Sequence, residues 1–306
     1  ADGHTYIPAA VERGAAAVVG ERPPAQVACA VPYVQVADAG LALAHLAAAY
    51  HGFPSRRLLV IGVTGTDGKT TTTNLIYSIL RAAGLRAGMI STINAVLGDE
   101  SLDTGLHVTT PTAPEVQGYL ARMVEAGLTH CVLEATSHGL AQHRVAAVDF
   151  DVAVVTNIQH EHLDFHGSWE AYRDAKALLF RSLMLSARKP GVPKLAVINR
   201  DDAPSAEHLL AIPADRHITY AITARSGADV TAGDVVYGPD STRFSVHLPG
   251  AAPLPIASAL VGEFNVSNML AAIAAAYGLG LAPQAIRSGV EAVRAVSGRM
   301  ERIDEG

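Results

Sequence analysis

The stretch Leu58-Leu59-Val60-Ile61-Gly62-Val63-Thr64-Gly65-Thr66-Asp67-Gly68-Lys69-Thr70-Thr71 decides how the rest of the chain is read. Residues 58–63 form an unbroken apolar run, the mark of a strand covered on both faces of a parallel sheet. A Gly-rich loop follows, and the pattern turns helical over 69–83. Strand, loop and helix in that order are the context of a phosphate loop. Its glycines let successive backbone N–H groups point at phosphate oxygens, and the helix N-terminus adds the positive end of its dipole. Lys69 would reach the β- and γ-phosphates, and the Thr70 hydroxyl would ligate Mg²⁺. The common pattern G-x-x-x-x-G-K-T is not met, because its first Gly would fall at Val63. The loop reads Gly65-x-x-Gly68-Lys69-Thr70 instead, and an ordinary strand–helix turn that happens to carry Gly and Lys is the competing reading.

Working outward, strands are expected at 87–91, 130–135, 151–156 and 194–199, and helices at 115–126, 169–185 and 205–211. This alternation predicts βαβ units and a mostly parallel sheet. From 217 to 261 the pattern changes to short alternating strands with Gly and Pro turns, which predicts a small antiparallel appendage. Helices at 265–277 and 283–296 close the segment. Upstream, residues 1–57 read as a partial α/β unit: helices at 7–14 and 39–50, strands at 15–19 and 33–36. The expected organisation is thus a partial N-terminal α/β domain over 1–57 and a central phosphate-loop domain over 58–298. The start of a hinge follows over 299–306.

The 306 residues suffice for a large core. The longest uncharged helical stretch, 269–282, falls short of the roughly 20 residues a membrane span needs, so it is expected to be a buried helix. A net charge of -6 argues against a nucleic-acid surface. Cys29 and Cys131 lack a pairing pattern and read as reduced core thiols of a cytosolic chain. Residues 1–4 do not resemble a signal peptide.

Three further places carry candidate chemistry. Glu134 ends the apolar strand at 130–135, where a carboxylate can hold a nucleotide's Mg²⁺, although a Glu there can equally be just solvated. His160, Glu161, His162 and Asp164 crowd the segment that follows the strand at 151–156. A polar loop, a zinc site and a magnesium-side donor are all open readings, but no cysteine joins the group and zinc ligand spacing is not met. His160 and His162 alternate, so only one of them is expected to face the site. Lys176 lies on the helix 169–185, and periodicity alone places it on the solvated face.

Together these segments resemble the Mur ligase family of ATP-dependent peptide-forming enzymes, in the branch that adds the third residue of the peptidoglycan stem peptide. The motifs that carry the resemblance are Thr64 to Thr71, Thr109-Thr110-Pro111, Glu134 to Arg144, Thr156-Asn157 with His162 to Gly167, Ala175-Lys176 with Leu179-Phe180, and Gly262 to Asn268. Asp2-Gly3-His4 resembles the later part of the family's N-terminal domain, and Ser297 to Glu301 its hinge into a C-terminal domain. One departure stands out: Glu161 occupies a position where the family carries Asp.

The resemblance implies roles. Gly65, Thr66, Asp67, Gly68, Lys69, Thr70 and Thr71 would bind ATP, with Asn265 and Asn268 on the adenine side and Arg299 near the phosphates. Thr70, Glu134, His162 and a carbamylated Lys176 would hold Mg²⁺. Lys69, Lys176 and His162 would be the catalytic set. Thr109, Thr110, Thr136, Gln142 and Arg144 would contact a UDP-N-acetylmuramoyl-dipeptide. A guanidinium suits that task, because it binds carboxylate or diphosphate with two parallel hydrogen bonds. The implied reaction activates the dipeptide's carboxylate as an acyl phosphate, which the amine of a free amino acid then attacks. The resemblance further implies a cytoplasmic monomer with no nucleic-acid partner. Two rivals stand beside it: another ligase on the same scaffold, such as a folylpolyglutamate synthase, and a non-catalytic ATP-binding module. A phosphate-loop GTPase is excluded by the lack of an Asn-Lys-x-Asp motif.

Overall fold

The computed structural model describes residues 2–103, 110–223 and 227–296. The chain opens with α1 (Ile7–Glu12), β1 (Val18–Gly20), β2 (Tyr33–Gln35) and α2 (Ala39–Tyr50), in which β1 and β2 form a two-stranded parallel sheet of their own. There follow β3 (Leu59–Thr64), α3 (Lys69–Ala82), β4 (Ala87–Ile90), β5 (Asn94–Val96), β6 (Ser101–Asp103), α4 (Ala113–Glu125) and β7 (His130–Glu134). Next come α5 (Ser137–Ala141), β8 (Val152–Val155), α6 (Leu163–His166), α7 (Trp169–Leu185), β9 (Leu195–Asn199) and α8 (Ala203–Leu210). The series ends with β10 (Arg216–Ala221), β11 (Val230–Tyr237), β12 (Thr242–His247), β13 (Leu254–Ser258), α9 (Glu263–Gly278) and α10 (Pro283–Ala292).

An 11-stranded sheet dominates, ordered β13-β12-β11-β10-β9-β8-β3-β7-β4-β5-β6. The strands from β11 through β4 pair in parallel, and two antiparallel strands close each edge. The expected parallel core is therefore present. The antiparallel strands over 217–261 are also present, but they continue the main sheet: β10 and β11 still pair in parallel, and only β12 and β13 reverse. The antiparallel β5 and β6, and the short helices α5 and α6, were not expected from the sequence. Helix α4 begins earlier than expected, since Thr112 and Glu115 close a capping box that fixes its first turn. Helix α10 stops earlier than expected, at Ala292.

Both sheet faces are covered, as continuous apolar strands require. Alternate residues of β3 go opposite ways. Ile61 and Val63 pack with Leu75, Ile76 and Ile79 of α3 and with α9 and α10. Val60 packs on the other side with α4, α7 and α8. Most of the uncharged run 269–282 lies in α9, whose Met269–Ala276 side chains are all buried, but the helix ends at Gly278 and residues 279–282 lie outside it. Gly289 lets α10 approach α3 closely: a Cβ there would stand 2.3 Å from the Ile79 Cα. Cys131 is buried as expected, but Cys29 is only half-buried, because the N-terminal segment around it has little core.

Candidate active site

The site lies at the carboxyl ends of the parallel strands, where open α/β sheets bind ligands. After β3 the chain turns through Gly65 to Gly68 into α3. Gly68 takes φ +77°, a left-handed conformation suited to Gly, and a Cβ there would stand 2.0 Å from the Asn268 Oδ1. The loop is pinned from the next strand end. Thr66 N donates to the Asn157 carbonyl (2.7 Å) and Asp67 N to the Asn157 Oδ1 (3.1 Å). In return, the Thr156 hydroxyl and the Asn157 amide donate to the Asp67 carbonyl, at 2.5 and 3.2 Å. The Lys69 ammonium donates to the Thr66 carbonyl at 2.7 Å, and so lies along the loop it serves.

The Thr70 hydroxyl donates to the Glu134 carboxylate, at 3.0 and 3.2 Å from its two oxygens, and both residues are buried. The Thr92 amide donates to the same carboxylate at 3.1 Å. A buried hydroxyl beside a buried carboxylate is a hard-oxygen donor pair that fits Mg²⁺. Among the described residues no group of three or more His, Cys, Asp and Glu is placed to hold a metal, so this pair has to be completed by other atoms.

Lys176 is 1% exposed, which corrects the solvated-face expectation. Helix α7 lies under the phosphate loop, and the Lys176 Nζ donates to the Gly65 carbonyl (2.6 Å) over the Tyr172 ring, 4.4 Å from its centroid. Periodicity cannot tell a helix face turned to solvent from one turned to a loop. Burial, and then the Lys69 charge, hold the Lys176 amine well below the usual lysine range. Burial also pushes the Tyr172 phenol up to about 12, and its hydroxyl shares a hydrogen bond with Thr66 (3.1 Å).

The crowded segment after β8 separates. His160 stacks on Trp169 (5.8 Å, 24°), whereas the His162 ring packs against His138 (4.9 Å) and Tyr172 (6.0 Å). His162 and Lys176 thus share Tyr172 as a neighbour. The residues expected to contact the acceptor gather on α5 and its flanks. Thr110 and Thr136 exchange a hydroxyl hydrogen bond (2.9 Å), and Thr136 caps α5 by accepting from Gly139 N. Arg144 donates to the Thr110 carbonyl (2.6 Å) and, through two nitrogens, to the Gln142 Oε1 (3.0 and 2.6 Å). Thr109 and Arg299 lie outside the described residues.

A cavity of about 1270 Å³ opens from the phosphate loop, lined by Gly68, Thr71, Asn265, Asn268 and Phe264. It brings the expected adenine-side asparagines onto the loop. It also exposes a set that sequence reading missed: Asn199, Asp201 and Asp202 line the same cavity. Asp202 accepts from Ile158 N (2.7 Å) and Asp201 from Ile222 N (2.7 Å), so the turn after β9 is held at both carboxylates. The missed signal was an Asn-x-Asp-Asp run just past an apolar strand, the same position that drew attention to Glu134.

Fold and site together define an α/β protein with a phosphate-type loop at the carboxyl ends of a mostly parallel sheet. The model of the Mur ligase middle domain matches residues 63–276. A UDP-N-acetylmuramyl-tripeptide synthetase of Roseiflexus sp. (strain RS-1) is 45% identical over 313 residues, covering 100% of this chain and 60% of its own. A UDP-N-acetylmuramoyl-L-alanyl-D-glutamate--2,6-diaminopimelate ligase of Geobacillus thermodenitrificans (strain NG80-2) is 42% identical over 309 residues, with the same coverage. A solved structure of a ligase of that second description aligns with TM-score 0.81 at 31% identity, over 99% of this chain and 60% of that one. The chain belongs to the Mur ligase family, and it spans about 60% of the length of the curated relatives it matches. Among the described residues no helix is long and apolar enough to cross a membrane.

Proposed function

We propose that this chain is the ATP- and acceptor-binding part of a ligase that adds the third amino acid to UDP-N-acetylmuramoyl-L-Ala-D-Glu. The observation that carries the reading is the buried Thr70–Glu134 pair facing a phosphate loop, with the Lys176 amine buried beneath that loop. The relatives at 42–45% identity are named for this step, which favours it over a folate ligase or a non-catalytic module.

In this reading the phosphate-loop amides and Lys69 hold the ATP phosphates, and Asn265 and Asn268 face the adenine. Arg144 and Gln142, already hydrogen-bonded to one another, with Thr110 and Thr136, orient the dipeptide. Its terminal carboxylate oxygen bonds to the γ-phosphorus as the bond to ADP breaks, giving an acyl phosphate. The amine of the incoming amino acid then displaces phosphate to form the amide. Mg²⁺ held at Thr70 and Glu134, with His162 and a carbamylated Lys176, would supply neutralisation of the developing phosphate charge. Lys176 suits carbamylation because a desolvated, neutral amine can add to CO₂. Electrostatics and positioning then account for most of the rate.

The same reading takes 1–57 as the end of a nucleotide-sugar domain, 58–298 as the central ATP-binding domain and 299–306 as the hinge to a further domain. It takes the working protein as a cytoplasmic monomer. The test is ADP release from Mg-ATP by a chain extended to its relatives' length, given UDP-N-acetylmuramoyl-dipeptide and a panel of amino acids. Release that depends on both the dipeptide and one amino acid is expected. Release independent of the amino acid, or none with any, sinks the reading.

A further inference from the structure

His162 is the N-cap residue of α6 and takes a left-handed backbone conformation, φ +54°, with no side-chain cap. A non-Gly residue in that region is strained and persists only where its surroundings hold it. Helix α6 has little of its own to do so: none of its residues is buried, and Leu163 and Phe165 are 42% and 46% exposed. Two rings from other elements meet it: Tyr172 of α7 stands 6.0 Å from His162 and 5.3 Å from His166, and His138 touches three residues of the turn. The His138 ring, on α5, lies edge-on to His162 (4.9 Å, 86°), tilted against Phe165 (4.2 Å, 37°) and edge-on to His166 (5.5 Å, 64°). Helix α5 is itself fixed, since it packs on α7 and is capped by Thr136.

We propose that His138 is a positioning residue: its ring clamps the α6 turn so that His162 is held toward the metal side of the Thr70–Glu134 pair. The inference rests on the proposed metal role of His162. It also makes α5 a physical link between two halves of the chemistry, because the same short helix is flanked by Thr136, Gln142 and Arg144 on the acceptor side. The clamp works by shape and ring contact, so an aromatic ring of similar size should replace it. Partners that orient a ligating histidine typically change metal affinity by about 10–100-fold when removed.

The test is Mn²⁺ affinity, read by electron paramagnetic resonance on this 306-residue chain with ADP bound. His138→Ala is expected to weaken Mn²⁺ binding by about tenfold. His138→Phe is expected to stay within threefold of the unaltered protein. ADP affinity measured without divalent metal should be unchanged in both variants, which shows that the nucleotide site is still folded. His162→Ala is the control. If His162→Ala loses Mn²⁺ affinity while His138→Ala does not, the clamp is overturned and the metal reading stands. If His138→Phe fails as badly as His138→Ala, ring packing is not the mechanism and the inference is likewise overturned. If His162→Ala binds Mn²⁺ normally, the metal reading fails and takes the inference with it.

Discussion

Two buried lysines stand at opposite ends of the same sheet. Lys194 precedes β9, at the amino ends of the parallel strands, and is 0% exposed. Its ammonium donates to the Phe150 carbonyl (2.7 Å), the Ala187 carbonyl (2.9 Å) and the Asp151 carboxylate (3.0 Å). Asp151, equally buried, also accepts from Val60 N (2.9 Å) and from Lys189. All three N–H groups of Lys194 therefore have acceptors, and its charge has a counter-charge. Lys176, at the carboxyl ends, is as deeply buried, but among the described residues it has one carbonyl acceptor and a ring face. Burial alone does not mark a functional lysine. A fully paired buried amine holds the scaffold; burial without a counter-charge instead holds the Lys176 amine well below the usual lysine range.

The largest effect should come from breaking the paired end. Asp151→Ala leaves two lysines and the Val60 amide without their carboxylate. Removing one partner of a buried charge cluster costs about 3–5 kcal/mol, which urea unfolding would show as a lower midpoint. Nucleotide affinity of the protein that remains folded should not change, since the cluster lies at the far end of the sheet. A loss of stability under 1 kcal/mol would mean that water, not Asp151, satisfies these lysines.

The opposite pattern is expected at the phosphate end. Gly68→Ala places a methyl group against the Asn268 side chain in a left-handed backbone. Stability should fall by about 1–2 kcal/mol, the usual cost of that conformation for an L-residue. ADP affinity should fall on the order of tenfold, equivalent to about 1.4 kcal/mol, because the loop and Asn268, proposed to face the adenine, are forced apart. Isothermal titration would check this, and unchanged affinity would show that the loop does not need Asn268 so close.

This contrast also explains what the sequence could reveal. Helix α9 is apolar on every side over Met269–Ala276, and a helix with no polar face has to be buried. β3 was equally legible, since its apolar run is unbroken. Lys176 was not, because a lysine in a helical repeat reads as a solvent marker unless something covers its face, and here the cover is a loop 111 residues away. Lys194 escaped notice for the same reason: its partner Asp151 sits 43 residues upstream. The short helices α5 and α6 are too brief for any periodicity, yet they carry His138 and His162. Asp201 and Asp202 were open to view but looked like loop polarity, until they proved to line the same cavity as Gly68.

The finest test of the comparison is the pH dependence of stability. The Lys176 amine has a folded pKa well below its ordinary value, so between that pKa and about 10.4 the unfolded chain binds a proton that the folded chain does not. Stability therefore rises with pH through this window, by at most about 1.4 kcal/mol per pH unit from this one group. Lys176→Met, which keeps the volume and removes the amine, should lose that share of the slope. Lys189 is held low by burial too, but it is present in both proteins and cancels in the difference. Urea unfolding in CO₂-free buffer at a series of pH values would read the two slopes, and equal slopes would mean that Lys176 keeps its proton when folded. Added bicarbonate sharpens the result. A carbamate forms only on the neutral amine, so bicarbonate should stabilise the lysine protein and leave Lys176→Met unmoved.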